Sequence, residues 1–535
     1  MRQLDIPAMD ENPMTATLTI LPWLAPTTWL LGSLVVRLYP AAQWTIAKSS
    51  ATTALLVAVA TIIAAIHALS VGVGTPDLLG VVMVTLIVFL GWVIVRFSHD
   101  YLAGEPGQNR YVGALLFTIS AVLVVVLTQH FAVLILAWSA SSIGLYYLLT
   151  FYQDRRPAQI VAHKKFLASR LAEIFLLAGM ALIYTEAGTL WMDGIANYVA
   201  QQAELSAGMR LAAFLIALGV IFKSAQLPVH GWLIKVMEAP TPVSALLHAG
   251  IVNIGGFVLI RMASLFSAAP EAQALLVVVG SLTALLAGLV MMTRISIKVR
   301  LAWSTCAQMG FMLMQCGMGL YDLALLHLVA HSLYKAHAFL TAGDTVIEVR
   351  KRDLSHHATQ LLAQTQVFRR ILAVPIALML VFASDYLWQT WLTGLSISNT
   401  ASFVVALGLA SLLWGMTDGW ARSLLLGLLR VLILTQLYLL WHWGFTTVIP
   451  PVAAPSLPLG LWVIACFTAL YGLQVWLLAN PKGALSQKLY PWAYAGFYLD
   501  EYFTRLAFRV WPADIGTEHS HGINPHLRKL KREQA

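Results

Sequence analysis

The sequence predicts an all-α polytopic membrane protein of about fifteen transmembrane helices, and three observations carry that prediction. Of 535 residues, 59% are hydrophobic and 11% charged, with a mean hydropathy of +0.76, too apolar for a water-soluble globule. The apolar residues gather in runs of about 20, the length a helix needs to cross the hydrocarbon core at its 1.5 Å rise per residue. Those runs are uniformly apolar and lack the period-two alternation of a membrane β-barrel strand.

The segment Met1 to Met14 has one basic residue, three acids and two prolines, so no secretory signal is expected and insertion falls to the spans. Spans are expected near 16–36, 51–70, 78–97, 112–129 and 131–152, then near 166–185, 211–235, 242–265, 273–293 and 300–319. Five more are expected near 323–348, 369–391, 399–415, 423–443 and 457–479. They divide into N-terminal helices (1–111), a central core (112–415), C-terminal helices (416–480) and a tail (481–535). Leu392 to Thr400 reads as a polar turn, and the proline-rich stretch from Val448 to Pro458 as an external loop. Asn480-Pro481-Lys482-Gly483 ends the last span. Beyond it, Tyr490 to Trp511 interleaves aromatic residues with charge, the pattern of an amphipathic helix at the headgroup level. That helix is either a peripheral element or a docking surface, whose residues would be Tyr498, Asp500, Glu501, Tyr502 and Arg505.

The formal charge of +9 reflects topology rather than nucleic-acid binding, because its basic residues cluster in alternate loops. Arg37 and Lys48, Arg96 and Arg110, Arg155 and Arg156, Arg294 to Arg300, and Arg350 to Arg370 mark these loops. The positive-inside rule puts them in the cytoplasm of a bacterial inner membrane. The N-terminus is then outside, and the C-terminus, with the basic tail Arg528-Lys529 through Arg532, is cytoplasmic. Lys164 and Lys165, at the start of their span, are expected to snorkel to the cytoplasmic surface. Cys306, Cys316 and Cys466 fall in apolar segments without metal-ligand spacing and read as packing residues.

Ionisable residues inside the spans carry the functional reading. Lys223 lies within the apolar run Leu211 to Val236, where an ammonium costs about 3 kcal/mol on insertion scales and marks a pathway. Pro228, five residues on, cannot donate its backbone bond and interrupts the helix, releasing the Ser224 carbonyl. Pro240 and Pro242 open the next helix, which carries His248 two turns in. His327, His331 and Lys335 are spaced four and four, so they share one helix face as a ladder about 12 Å tall. Imidazole titrates near neutrality, which suits the ladder to proton relay. Zinc at the two histidines is disfavoured because no third ligand has suitable local spacing and Lys335 would repel the metal.

Glu173 has two open readings: an internal pair with Arg170 at i,i+3, or a partner facing Lys223 across a helix interface. The hydroxyl stripes Ser139, Ser141, Ser142 and Ser304, Thr305, Gln308 suit close helix packing or the lining of a water chain. Asp344 and Glu348 close the ladder helix, and Asp385 sits deep in a later span without an evident partner.

At Gly219 to Pro228, at Ala239-Pro240-Thr241-Pro242 through His248-Ala249-Gly250, at Ala302-Trp303-Ser304-Thr305 and at the ladder, the chain closely resembles the antiporter-like subunits of respiratory complex I and the Mrp cation/proton antiporters. The resemblance covers roughly Val112 to Val349. It implies two inverted five-helix repeats, two broken helices and a proton axis on which Lys223 is the central lysine and His248, His327, His331 and Lys335 are lining residues.

Departures narrow the resemblance. In the complex I subunits a glutamate follows the tryptophan of the fifth span and pairs with the central lysine; here Ser139 follows Trp138, leaving Glu173 as the substitute. The second-repeat lysine or glutamate is missing between Arg370 and Trp391, where Asp385 is the charge inside the span. These features, with the Tyr498 to Tyr502 tail, look like the DabB family, membrane subunits of the DAB inorganic-carbon accumulation complexes. That likeness implies a cytoplasmic DabA-type zinc partner related to carbonic anhydrases, driven by flow of protons or Na⁺. The chain itself would hold no cofactor and perform no catalysis. Two other functions fit the same residues: a cation/proton antiporter or complex I-type pumping subunit, and a non-conducting membrane scaffold.

Overall fold

The computed structural model describes residues 13–72, 76–344, 363–391, 397–414, 420–449 and 456–510, and those residues are almost entirely helical. Glu348 and the tail from Arg528 to Arg532 lie outside the described residues. The first layer comprises α1 (Pro13–Ile20), α2 (Leu24–Leu38), α3 (Gln43–Val71), α4 (Leu78–Tyr101), α5 (Gln108–Leu127) and α6 (Phe131–Leu149). Then come α7 (Arg156–Ala187), the short α8 (Met192–Ala200), α9 (Ala207–Lys223) and the single turn α10 (Gly231–Ile234). The core continues with α11 (Thr241–Ala249), α12 (Ile254–Arg261), α13 (Ala263–Ser267), α14 (Pro270–Met291), α15 (Ile297–Gly317) and α16 (Tyr321–Leu340). The C-terminal part holds α17 (Ala363–Trp391), α18 (Asn399–Ala410), α19 (Trp420–Thr446), α20 (Leu457–Ala479), α21 (Ala484–Tyr494) and α22 (Leu499–Val510).

Eleven helices among the described residues are long and apolar enough to cross a membrane, against the fifteen spans expected. Those that fall short include α9, α15 and α16, and the reason is chemical. The helix α9 stops at Lys223, while α15 and α16 spend apolar positions on Ser304, Gln308, Gln315, His327, His331 and Lys335. Polar residues inside these helices dilute the hydropathy signal.

Helix breaks position the interior. Between α9 and α10 the backbone is non-helical from Ser224 to His230, and the Ser224 carbonyl accepts a hydrogen bond from the Gln226 amide at 3.0 Å. The expected release of that carbonyl by Pro228 is therefore met by a side chain. Pro240 precedes α11 as its N-cap and Pro242 occupies its first turn, where a missing N–H costs nothing. A second interruption, Gly250 to Asn253, separates α11 from α12. The helix α17, where the family resemblance leads one to expect a second broken helix, runs unbroken with Pro375 inside it.

Two contacts show how the bundle is held. Gly280 of α14 and Gly310 of α15 face each other so closely that a Cβ on either would strike the other's carbonyl, which lets the two helices pack backbone to backbone. Asp77 caps α4 by accepting from the Gly80 N–H at 3.0 Å and receives a two-pronged bond from Arg261, 2.8 Å for each nitrogen, tying α4 to α12.

The tail departs from a helix lying alone at the interface. It is two helices with a kink at Gly496 to Tyr498, folded back against the core. Arg294 lies over the rings of Trp303 and Tyr494, at 5.5 and 5.3 Å, fastening α21. Asp500 fastens α22, pairing with Lys164 and, at 2.8 Å, with Lys235.

Candidate functional site

The Lys223 ammonium lies buried at the end of α9, 3.2 Å from the Glu173 carboxylate and 4.7 Å from the centre of the Trp138 ring. The same Glu173 oxygen accepts from Arg170 at 2.8 Å. Both sequence readings of Glu173 therefore hold together: one carboxylate is shared by an arginine of its own helix and a lysine of α9. Trp138, one position before Ser139, supplies a ring face to the Lys223 ammonium. An aromatic face attracts a desolvated cation by up to about 2 kcal/mol, less than a carboxylate does.

Lys164 and Lys165 do not snorkel. The helix α7 begins at Arg156, ten residues before the expected span, so both lysines lie well inside it. Lys164 is fully buried, bonded to Asp500 and to Thr504 at 2.7 Å. Lys165 is buried against Trp232 and donates to Ser142 at 3.0 Å and Ser169 at 2.8 Å. Lys165, Ser169 and Glu173 are themselves spaced four and four, a second ladder on α7 that the sequence reading missed. The i,i+4 periodicity was the available signal; assigning Lys165 to the surface hid it. Ser142, from one hydroxyl stripe, thus contacts a buried lysine.

The other ladder is built from α16. Lys335 is fully buried and donates to the Leu301 carbonyl at 3.1 Å and the Ser304 hydroxyl at 2.8 Å. His331 lies between Lys335 and His327, its ring 5.8 Å from that of His327 and against the backbone of His248. His327 Nδ1 pairs with the Gln315 amide oxygen at 2.9 Å, and its Nε2 is buried without a protein partner. His248 stacks on Phe339 with ring centres 4.5 Å apart and both nitrogens unpartnered. Asn253, in the α11–α12 interruption, bonds Ser332 at 2.7 Å and holds α16 against this break.

The predicted residues thus separate into groups. Glu173 and Lys223 are in contact, and His248, His327, His331 and Lys335 cluster along α16. Asp385 is buried on α17, within electrostatic reach of His442, rather than among the ladder residues. Asp344 is exposed just beyond α16. In the tail, Tyr498, Glu501, Tyr502 and Arg505 are exposed, whereas Asp500 turns inward. Burial alone would raise the Asp500 carboxyl, but Lys164 and Lys235 hold it below the usual carboxylate range. Cys306 and Cys316 are buried and Cys466 partly so.

Comparison with known proteins agrees with this architecture. Residues 128–414 match the NADH:quinone oxidoreductase/Mrp antiporter membrane family, and residues 75–112 match the N-terminus of complex I chain 5. The chain is 39% identical to the probable inorganic carbon transporter subunit DabB of Hydrogenovibrio crunogenus, over 82% of this chain and 83% of that one. It is 38% identical to DabB2 of Halothiobacillus neapolitanus, over 82% and 80% of the two chains. The Mrp complex from Dietzia sp. DQ12-45-1b has a similar fold, with a TM-score of 0.59 at 20% identity over 97% of this chain and 62% of that one. On these grounds the chain is a multi-pass membrane protein that belongs to the complex I/Mrp antiporter-like subunit family and, within it, to the DabB inorganic carbon transporter subunits.

Proposed function

We propose that this chain is the ion-conducting membrane subunit of an inorganic-carbon accumulation complex, and that the ion is the proton. One observation carries the reading: Lys165, Lys223 and Lys335 are all buried, and Glu173 is the carboxylate in contact with any of them among the described residues. Holding all three as ammonium groups leaves charge uncompensated where each ion costs several kcal/mol. A set of that kind is built to change its proton occupancy. Protons enter from outside and move between the Lys223 group and the His248, His331, Lys335 and His327 group. Their flow energises conversion of carbon dioxide to bicarbonate on a cytoplasmic DabA-like zinc protein. The exposed face of α22, with Glu501, Tyr502 and Arg505, together with Tyr498 in the preceding kink, is the surface offered to that partner. Asp500 anchors the face from beneath. In this reading the chain sits in a bacterial inner membrane with its N-terminus outside, its C-terminus in the cytoplasm and lipid around the bundle.

Replacing Lys223 with Ala tests the proposal. Bicarbonate accumulation is expected to disappear while the complex still assembles and co-purifies with a zinc protein. Full accumulation by Lys223→Ala would sink the reading, and recovery of several small membrane subunits in place of one large zinc protein would favour an antiporter or complex I-type assembly.

A further inference from the structure

At the far end of the ladder helix lies a titratable pair, Asp322 and His442, that the proposed pathway does not use. The hairpin of α15 and α16 is antiparallel: Lys335 reaches the start of α15, near the docked tail, and Asp322 begins α16 at the opposite end. Asp322 Oδ2 is 2.6 Å from His442 Nε2 on α19, and their side chains are 7% and 2% exposed. A carboxylate at Nε2 fixes that nitrogen as the protonated one and leaves Nδ1 as the base. Nδ1 is buried without a protein partner, so the basic nitrogen is available. The charged and titratable groups facing His442 are Asp322 from α16, Asp385 from α17 and Tyr438 one turn earlier on α19.

The pair is also connected to the ladder. Tyr438 is within electrostatic reach of Asp322 and Asp385, and it lines a cavity of about 240 Å³ whose other polar lining residues include His327, Gln308, Gln315 and Thr400. Most of its lining is apolar, Phe311, Met314 and Leu323 among it, so the volume can hold waters only beside these five polar side chains. Tyr438 of α19 and His327 of α16 both line the cavity, and the Tyr438 hydroxyl and His327 Nε2 are both buried without protein partners. Two orphaned buried polar atoms beside one cavity are what a water-bridged connection requires.

We propose that Asp322 and His442 form the proton port of the ladder, at the end opposite the docked tail, exchanging protons with His327 through Tyr438 and the cavity. This inference rests on the proton-conducting reading above. A proton arriving at His442 Nδ1 gives an imidazolium stabilised by Asp322; its release toward the cavity restores the neutral ring, with no net change in the pair. Asp385 tunes the field at this exchange. The bland alternative is an ion pair that merely ties α19 to the start of α16, and the test separates the two.

Proton flux is measured with the intact complex in liposomes carrying an internal pH dye, under an imposed pH step and over a range of pH. His442→Gln is expected to lower flux by at least about tenfold, the scale of losing one positioned proton carrier, and to flatten its pH profile. The double variant Asp322→Asn/His442→Gln replaces the pair by two amides that still hydrogen-bond. It is expected to assemble normally and conduct as poorly as His442→Gln. Wild-type flux and pH profile in the double variant would overturn the port and leave a structural tie. Lys223→Ala in the same liposomes keeps the two readings apart: blocked flux there with normal flux in the double variant removes only the port, whereas wild-type flux in Lys223→Ala removes the axis on which the port depends.

Discussion

Lys223 and Lys335 are both buried lysines in broken or polar helices, yet their surroundings differ in kind. Lys223 is held by a full negative charge, Glu173, and by the face of Trp138. Lys335 is held by neutral oxygens, the Ser304 hydroxyl and the Leu301 carbonyl. Neutral acceptors stabilise an ammonium by hydrogen bonding without compensating its charge, and they serve a cation less well than a carboxylate does. In the proton-conducting reading proposed above, the first lysine therefore retains a proton until its partner is disturbed, and the second passes one along, with two imidazoles in line behind it. The Glu173 carboxylate is in turn divided between Lys223 and Arg170, so a small movement of α7 against α9 changes how firmly the proton is held.

The difference is broken most directly at Glu173. In Glu173→Gln, Lys223 keeps a neutral hydrogen-bond acceptor and becomes like Lys335. Removing one partner of a buried pair typically costs about 3–5 kcal/mol, partly recovered here by the amide oxygen. Flux is expected to fall by more than tenfold, and the pH dependence of bicarbonate accumulation is expected to shift. An unchanged pH dependence would return Glu173 to a structural link between Arg170 and Lys223.

A middle-sized effect is expected at Asp500, which gives Lys164 the kind of partner that its neighbour Lys165 lacks. Asp500→Asn should loosen α22 by about 2–3 kcal/mol, since a buried lysine loses its counter-ion and half-exposed Lys235 contributes little. Faster amide hydrogen exchange over residues 499–510 and weaker retention of the proposed cytoplasmic partner would register this. The pH dependence has a definite sign. The folded Asp500 carboxyl lies below its unfolded value of about 3.9, so its stabilisation is complete above that value and is lost as pH falls through the lower, folded one. Docking of α22 should thus be constant from about pH 5 upward and weaken only in stronger acid, and the Asn variant should lack that acid limb. Unchanged exchange at neutral pH would show that Arg294 and the aromatic contacts of α21 suffice to hold the tail.

Much of this contrast was legible before any coordinates. Lys223 stood out because charge is expensive in an apolar run, and the ladder on α16 because i,i+4 spacing fixes a helix face. The absence of a carboxylate at Ser139 made Glu173 a candidate partner for Lys223, beside its alternative reading as an internal pair with Arg170. What stayed hidden depended on helix length and on contacts remote in sequence. Lys165 looked superficial because hydropathy cannot see the polar first turns of α7, which carry the helix back to Arg156. Asp500 looked like part of an outward surface because an amphipathic pattern gives a face but not what that face meets; the inward turn requires Gly231, where a Cβ would overlap the Asp500 carboxylate. Asp322 and His442 are 120 residues apart, and no local spacing joins them.

The smallest expected effect lies at Trp138, and it sharpens the comparison by removing the neutral half of the Lys223 environment. In Trp138→Phe a ring face remains, smaller and less electron-rich; in Trp138→Leu the face is gone but the site is still apolar. Cation–π attraction contributes about 0.5–2 kcal/mol, so conduction should fall only a few-fold in the Leu variant and less in the Phe variant, with the complex intact. Lost volume alone also ranks the variants Trp, Phe, Leu, so the decisive comparison is the coupling of the ring to Glu173. Combining Trp138→Leu with Glu173→Gln tests whether ring and carboxylate act on the same proton. Two groups that stabilise one ammonium should show non-additive losses, and strictly additive losses would mean that the ring packs against α9 without sensing the charge of Lys223.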